Sequence, residues 1–155
     1  MTIVSYNKQS IPSLAPSLKS QIILLDQNLE DLSWSKKLWN DTWEDFGHFF
    51  LQVYVEDDMV TAFGLWTLPP LEDVVHLLKI VVSPLHRGKG LAGQLFEDIV
   101  QIFPTKGIYL EVKANNTVAI KFYQKYGLKI LTRTRNYYGL GLDAYKMFKP
   151  ALPNA

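Results

Sequence analysis

Hydrophobic residues recur along the chain with two periods, one typical of helices and one typical of strands. Leu18, Ile22 and Leu25 lie at helical spacing, whereas residues 77–82 form an apolar run that only Lys79 interrupts. The predicted elements are a strand at 2–6, a helix from 16 to about 30, a second helix after Ser35, strands at 48–56, 59–68 and 74–82, a helix at 91–102, a strand at 107–113, a helix at 116–126, and strands at 128–135 and 143–148.

The order of these elements predicts an α/β fold. Strands and helices alternate from 74 to 135, which requires parallel pairing of the central strands, whereas the turn at Asp57-Asp58 joins an antiparallel hairpin. The expected architecture is a mixed sheet with helices on both faces. The length of 155 residues predicts a single domain spanning 1–155.

Composition narrows the classes of function. The sequence has no cysteine, which excludes disulfides, thiolate metal sites and a cysteine nucleophile. No apolar run is long enough to span a bilayer, so we expect a soluble, cytoplasmic protein without a membrane partner. Residues 106–155 carry nine basic and two acidic side chains. Two explanations of this positive charge are open: the lysines form a solvated surface of a helix, or the charge serves to attract an anionic ligand.

A basic, glycine-rich loop lies between the apolar strand and the helix that starts at Leu91. Gly88 and Gly90 allow the backbone to approach a ligand closely, and Arg87 and Lys89 supply positive charge. The first N–H groups of the helix point at the same place, so the segment predicts an anion site. Taken alone, such a segment also fits a plain tight turn.

A second group of polar residues follows the strand at 107–113. Glu111 lies within this strand, and Asn116 and Tyr123 are seven residues apart on one face of the next helix, with the small Ala119 between them. Each also has an ordinary structural explanation: Glu111 as a strand residue paired with a lysine, Asn116 as a helix cap and Tyr123 as a core aromatic. The three histidines, His48, His76 and His86, are scattered without ligand spacing, so no metal site is predicted.

Together these patterns resemble the GNAT acetyltransferases, and specifically the bacterial ribosomal-protein alanine N-acetyltransferases. The first signature is Arg87-x-x-Gly90-x-Ala92, in which alanine replaces the commoner glycine. The resemblance extends from about Trp34 to Met147. The further matching residues are Leu110, Glu111, Val112, Lys113, Asn116, Ala119, Tyr123, Gly127, Arg135, Asn136, Tyr137 and Tyr138, together with Trp34 and Ser35.

The resemblance implies a mostly antiparallel sheet with a splayed central parallel pair and acetyl-CoA as co-substrate. Glu111 matches the family's general base and Tyr123 its general acid, and Trp34, Tyr137 and Tyr138 match acceptor-binding positions. The residues that match the cofactor site are Ile80, Val81 and Val82 for pantetheine, Arg87, Gly88, Lys89, Gly90, Leu91, Ala92 and Gly93 for pyrophosphate, and Asn116. The chemistry agrees, since a carboxylate accepts a proton, the more so if partial burial raises its pKa, and a tyrosine hydroxyl donates one.

The expected activity is acetyl transfer to a protein N-terminal α-amino group, with a ribosomal protein as a candidate partner. The segment 138–143 is shorter than in the ribosomal-protein enzymes, which leaves a lysine side chain or a small amine open as the acceptor. A non-catalytic acyl-CoA-binding module is a third hypothesis. Without an aromatic stacking platform, direct nucleic-acid binding is not expected. We expect a monomer or a weak homodimer.

Overall fold

The fold is a seven-stranded sheet with four α-helices, seen in a computed structural model that describes residues 2–153. The strands are β1 (Thr2–Tyr6), β2 (Phe49–Glu56), β3 (Met59–Thr67), β4 (Val74–Val82), β5 (Gly107–Lys113), β6 (Lys129–Thr134) and β7 (Ala144–Lys149). The helices are α1 (Pro16–Asp26), α2 (Lys36–Glu44), α3 (Leu91–Ile102) and α4 (Thr117–Lys125), with short 3₁₀ segments at Ile11–Ser13, Gln27–Leu32 and Pro84–His86.

The strand order is β1-β2-β3-β4-β5-β7-β6, and the sheet is mixed as predicted. β4 and β5 are the parallel pair, with Val74 opposite Gly107 and His76 opposite Tyr109. The hairpin of β2 and β3 turns at Asp57 and Asp58, both with positive φ, which confirms the predicted turn.

The first of two compact units comprises residues 2–68 and 78–95. Strand alternation divides the β2–β3 side chains between two faces of the sheet. On one face Leu51 and Phe63 pack in the core cluster that contains Ile22 of α1 and Trp39 of α2. On the other face Tyr54 packs in a cluster with Leu91 and Leu95 of α3. Helices therefore cover both faces, as predicted.

The second unit comprises residues 69–77 and 96–153. In β5, Leu110 and Val112 are buried, whereas Tyr109, Glu111 and Lys113 alternate with them and are partly exposed. The strand therefore presents a polar face that remains accessible.

One predicted helix is shorter than expected. α1 ends at Asp26 and not near Glu30, and a 3₁₀ segment follows in which Glu30 has φ 53°. The cause is tertiary, because the buried Asp26 carboxylate accepts hydrogen bonds from Trp34 N and from Trp39 Nε1, each at 2.8 Å. Among residues 2–153, no helix is long and apolar enough to cross a membrane.

Candidate active site

The glycine-rich loop has the backbone geometry of an anion-binding turn. Gly88 and Gly90 have φ of 77° and 78°, a region that L-residues avoid, and a Cβ at either position would meet no atom within 4 Å. α3 starts at Leu91, and its first backbone hydrogen bond from this loop runs from Gln94 N to Gly90 O. The preceding N–H groups lie at the positive end of the helix dipole.

The basic side chains of the loop are exposed, like its two glycines. Arg87 and Lys89 are exposed, and Arg87 Nε lies 3.4 Å from Val82 O, at the end of β4. The positive charge, the open space and the helix dipole fit a pyrophosphate group, and contact of these residues with the coenzyme's phosphates stays a prediction. In the adjoining strand Val81 is buried, whereas Ile80 and Val82 are partly exposed. Their contact with pantetheine stays a prediction.

Glu111 makes a short hydrogen bond to a histidine from the neighbouring strand. His76 Nε2 lies 2.6 Å from Glu111 Oε2, and both side chains are mostly buried. The His76 ring is also stacked on Tyr109, with centroids 4.1 Å apart and planes 10° apart. The parallel register places His76 opposite Tyr109, two residues before Glu111 on the same face of β5. The sheet therefore fixes both groups of the pair.

The net shift of the Glu111 pKa is downward, although burial by itself raises it. The hydrogen bond from His76 lowers the pKa of Glu111 below its ordinary range, and the charges of His76 and Lys146 add to this effect. Burial acts in the opposite direction and is outweighed. Glu111 is therefore ionised at neutral pH, and an ionised carboxylate only accepts hydrogen bonds, so His76 Nε2 carries the proton between them.

The β6–β7 loop holds two tyrosines close to this carboxylate. Asp143 accepts hydrogen bonds from Asn136 N at 3.0 Å and from Arg133 Nε at 2.8 Å, and Asn136 Oδ1 accepts one from Gly141 N at 2.7 Å. The loop is thus closed on itself around Asp143. It carries Tyr137 and Tyr138, which meet edge to face at 4.9 Å.

The charge of Glu111 reaches both loop tyrosines. Burial raises the pKa of Tyr138 to about 12, with contributions from Tyr137 and Glu111, and burial together with Glu111 raises the pKa of Tyr137. Both hydroxyls therefore stay protonated at neutral pH. Glu111 is thus near enough for its charge to act on Tyr137 and Tyr138, and the acceptor-binding role of the two tyrosines stays a prediction.

Tyr123 lies in an aromatic cluster of α3 and α4. Its ring is 5.8 Å from Phe96 and 5.4 Å from Phe122, and the side chain is buried. Burial, and secondly the charge of Tyr138, raises the pKa of Tyr123 well above its ordinary range. The hydroxyl therefore keeps its proton at neutral pH and is a weaker acid than an ordinary tyrosine.

Asn116 is the N-cap of α4. Its Oδ1 accepts a hydrogen bond from Ala119 N at 3.1 Å, and this confirms the structural role considered for it. Contact of Asn116 with the cofactor stays a prediction, for which its Nδ2 is the remaining polar side-chain atom.

Trp34 lies between the 3₁₀ segment and α2, as predicted, but it is anchored to the core of the first unit. Its backbone N–H binds Asp26, and its ring lies 5.0 Å from Trp39 and 4.8 Å from Lys79 Nζ. Lys79 Nζ is 2.8 Å from Asp26 Oδ1, and both side chains are fully buried. Trp34 is thus held by a buried ion pair, and its contact with an acceptor stays a prediction.

Sequence reasoning missed His76 and Lys146, which lie next to Glu111. The spacing of the histidines indicates no role for His76. Strand alternation, however, places it on one face of β4 with Ile80 and Val82, which match the cofactor site. Lys146 faces Glu111 across the antiparallel β5–β7 pair. Lys146 and Glu111 become neighbours only through the register of β5 and β7, and the sequence alone does not fix this register.

Comparison with known proteins identifies the family of the chain. The Acetyltransferase (GNAT) family profile matches residues 21–128. The [Ribosomal protein bS18]-alanine N-acetyltransferase of Salmonella typhimurium is 30% identical over 118 residues, covering 74% of this chain and 76% of the relative. Two further relatives, 38% and 33% identical, are matched over only 27% and 54% of their own lengths.

Solved structures share the fold over the full chain. The ribosomal-protein-S18-alanine N-acetyltransferase from Escherichia coli aligns with a TM-score of 0.78 at 23% identity, covering 99% of this chain and 96% of that one. An aminoglycoside 6'-N-acetyltransferase complexed with coenzyme A aligns with a TM-score of 0.81 at 17% identity, covering 100% and 99%. At these identities the likeness shows the fold alone. The family profile, which spans more than half of the chain, and the Salmonella relative show that the chain belongs to the GNAT acetyltransferase family.

Proposed function

We propose that the protein transfers an acetyl group from acetyl-CoA to the N-terminal α-amino group of a protein, with a ribosomal protein among its acceptors. The observation that carries the proposal is the ionised Glu111, hydrogen-bonded by His76 and lying near Tyr137 and Tyr138. A carboxylate among aromatic side chains suits a cationic amine that must lose a proton before it reacts.

Glu111 binds the ammonium form of the acceptor and receives its proton, directly or through a water. An α-amino group has a pKa of about 8, so only a fraction is neutral at physiological pH. Because the pKa of Glu111 is lowered, its charge attracts the ammonium group strongly, whereas it holds a proton weakly. The adjacent His76 donates a hydrogen bond to the carboxylate from Nε2 and so holds it ionised and oriented. Glu111 thus accepts the proton that the attacking nitrogen loses.

Tyr123 returns a proton at the other end of the reaction. Acetyl-CoA supplies the acetyl group as a thioester, whose C–S bond breaks as the new C–N bond forms. Because the pKa of Tyr123 is raised, transfer of its proton to a thiolate of pKa about 8.5 is unfavourable by itself, and the tyrosinate must regain a proton from solvent to complete the turnover. Arg87, Lys89 and the helix N-terminus would hold the phosphates.

The relatives favour this class of acceptor. Those at or above 30% identity include enzymes named for an alanine N-terminus of a ribosomal protein and enzymes named N-alpha-acetyltransferases. A ribosomal-protein acceptor implies that the reaction takes place in the cytoplasm. The lysine and small-amine alternatives share the same proton transfers, so an assay must separate them.

The test is thiol release from acetyl-CoA with a library of short peptides that differ in their first residues, each paired with an N-terminally blocked copy. Turnover that disappears on blocking is the expected result, and the preferred first residue names the acceptor. Equal turnover with blocked lysine peptides or with polyamines would overturn the α-amino assignment. A protein that binds coenzyme A but acetylates no amine would be the acyl-CoA-binding module.

A further inference from the structure

The polar face of β5 carries a lysine from the neighbouring strand directly beside Glu111. Glu111 and Lys146 are cross-strand partners in the antiparallel β5–β7 pair, so their side chains lie on the same face. Lys146 is exposed, and its Nζ lies 5.4 Å from the centroid of the Tyr109 ring. The ammonium group therefore stands at the edge of the site, next to the aromatic ring on which His76 is stacked.

A second lysine lies on the same face of β5, one alternate position along the strand from Glu111. Lys113 lies two residues after Glu111, which places it on the same face, and its Nζ is 5.8 Å from the Tyr138 ring. At the opposite end of the face, burial raises the pKa of Tyr109, and the charges of Glu111 and Glu72 add to this effect. The face thus combines a negative position, which suits an ammonium group, with Lys146 beside it and Lys113 further along the strand.

An acceptor peptide with its α-amino group at Glu111 brings its next side chains close to these cations. An extended chain advances about 3.3 Å per residue, and opposite Cβ atoms in an antiparallel pair are about 5 Å apart. The side chain of the second or third residue therefore lies within the reach of Lys146. At this distance an aspartate or glutamate is attracted, whereas a lysine or arginine is repelled.

We propose that Lys146 selects acceptor N-termini that carry an acidic residue at position two or three. The inference rests on the proposed function, because it assumes that a peptide N-terminus reacts at Glu111. Lys146 touches neither reacting atom, so it acts as a specificity determinant. An exposed pair of this kind changes kcat/KM by a few-fold, and the difference between attraction and repulsion amounts to about tenfold.

The experiment compares three peptides that differ only at position two, which is aspartate, asparagine or lysine. Their kcat/KM values are measured with the wild type, with Lys146→Glu and with Lys149→Glu. Lys149 lies on the same strand but on the opposite face, opposite Ile108, so this variant makes the same change in net charge away from the site. Dissociation constants of the same peptides, measured by calorimetry, provide a readout that does not depend on turnover.

We expect the wild type and Lys149→Glu to prefer the aspartate peptide over the lysine peptide by about tenfold, and Lys146→Glu to reverse the order. An aspartate-to-lysine ratio that Lys146→Glu leaves within twofold of the wild type would overturn the inference while peptide turnover keeps the proposed function intact. If the wild type neither acetylates nor binds any of the peptides, both proposals fail together. A Lys146→Glu protein that does not fold is recognised by circular dichroism, and Lys146→Gln, which should abolish the preference without reversing it, then decides.

Discussion

His76 Nε2 and Glu111 Oε2 are 2.6 Å apart, although the two residues are 35 positions apart in the sequence. The bond joins the two strands of the parallel pair, where His76 is in register with Tyr109. It keeps the carboxylate ionised and gives it a fixed orientation, and it places an imidazole beside the proposed proton acceptor.

Removing either member of this pair should lower turnover. We expect Glu111→Gln to reduce kcat by about 10²–10⁴-fold, the range of general base catalysis, with little change in coenzyme A affinity. His76→Leu should cause a smaller loss, and His76→Gln, which retains a hydrogen-bond donor, should recover part of it. Steady-state kinetics with an N-terminal peptide and calorimetry with coenzyme A separate the effects. Unchanged kcat in both Glu111→Gln and His76→Leu would remove the pair from the mechanism.

The lowered pKa of Glu111 should also appear in the pH dependence of stability. A carboxyl group whose pKa is lower in the folded protein than in the unfolded chain stabilises the fold above the unfolded pKa, and this contribution is lost as pH falls through the folded pKa. The difference in free energy of unfolding between the wild type and Glu111→Gln should therefore be constant from about pH 6 to 7 and shrink below about pH 4.5. Urea denaturation at several pH values measures it, and a difference that grows toward acid pH would contradict the assignment.

The secondary structure was largely predictable, because local patterns determine it. Apolar runs, glycine and proline positions gave the bounds of β4, α3 and β5 as the structure has them. α1 was predicted too long because its end depends on Asp26, whose carboxylate binds Trp34 and Trp39 and pairs with Lys79 from a distant strand. Hydrophobic spacing contains no information on that contact.

The candidate site was predictable only as separate residues. The identities of Glu111 and Tyr123 came from the family resemblance, whereas their environments come from strand register and helix packing. His76 outweighs the effect of burial on the pKa of Glu111, and this requires two strands to be aligned to within one residue. The sequence therefore predicts which residues belong to the site better than it predicts their pKa values.

Tyr123 offers a clean test of the general acid, because its ring and its hydroxyl have separate roles. The ring packs against Phe96 and Phe122, so Tyr123→Phe should retain this packing. We expect kcat to fall by about 10²-fold or more while the melting temperature and coenzyme A affinity change little. Tyr126→Phe is a matched control, since Tyr126 also stacks on Phe96, at 5.7 Å. Equal rates for the two variants would exclude Tyr123 as the proton donor.

The glycines of the loop should affect ligand binding more than they affect folding. An alanine at Gly88 or Gly90 meets no atom within 4 Å, so its cost is the left-handed backbone, roughly 1–2 kcal/mol. Gly47 has φ of 50° and the same open surroundings, so Gly47→Ala should cost a similar free energy of unfolding. Only Gly88→Ala and Gly90→Ala should weaken coenzyme A binding in calorimetry. If Gly47→Ala weakens binding equally, the loop is an ordinary turn.

The buried pair of Asp26 and Lys79 should dominate the stability of the segment that carries Trp34. Burial lowers the pKa of Lys79, and the contact with Asp26 opposes this effect. Lys79→Met leaves the Asp26 carboxylate buried without its cation, which should cost about 3–5 kcal/mol of unfolding free energy. Asp26→Asn should also destabilise, because Asp26 accepts hydrogen bonds from both tryptophans.

Combining the two changes tests whether this cost belongs to the pair. The double variant Asp26→Asn with Lys79→Met buries no unpaired charge, so its loss should be smaller than the sum of the single losses by about 1–3 kcal/mol. Urea denaturation measures each corner of the cycle, followed by the fluorescence of the four tryptophans, to which Trp34 and Trp39 contribute. Additive losses would mean that the two residues act independently, and that Trp34 is held by its hydrogen bond to Asp26 without help from Lys79.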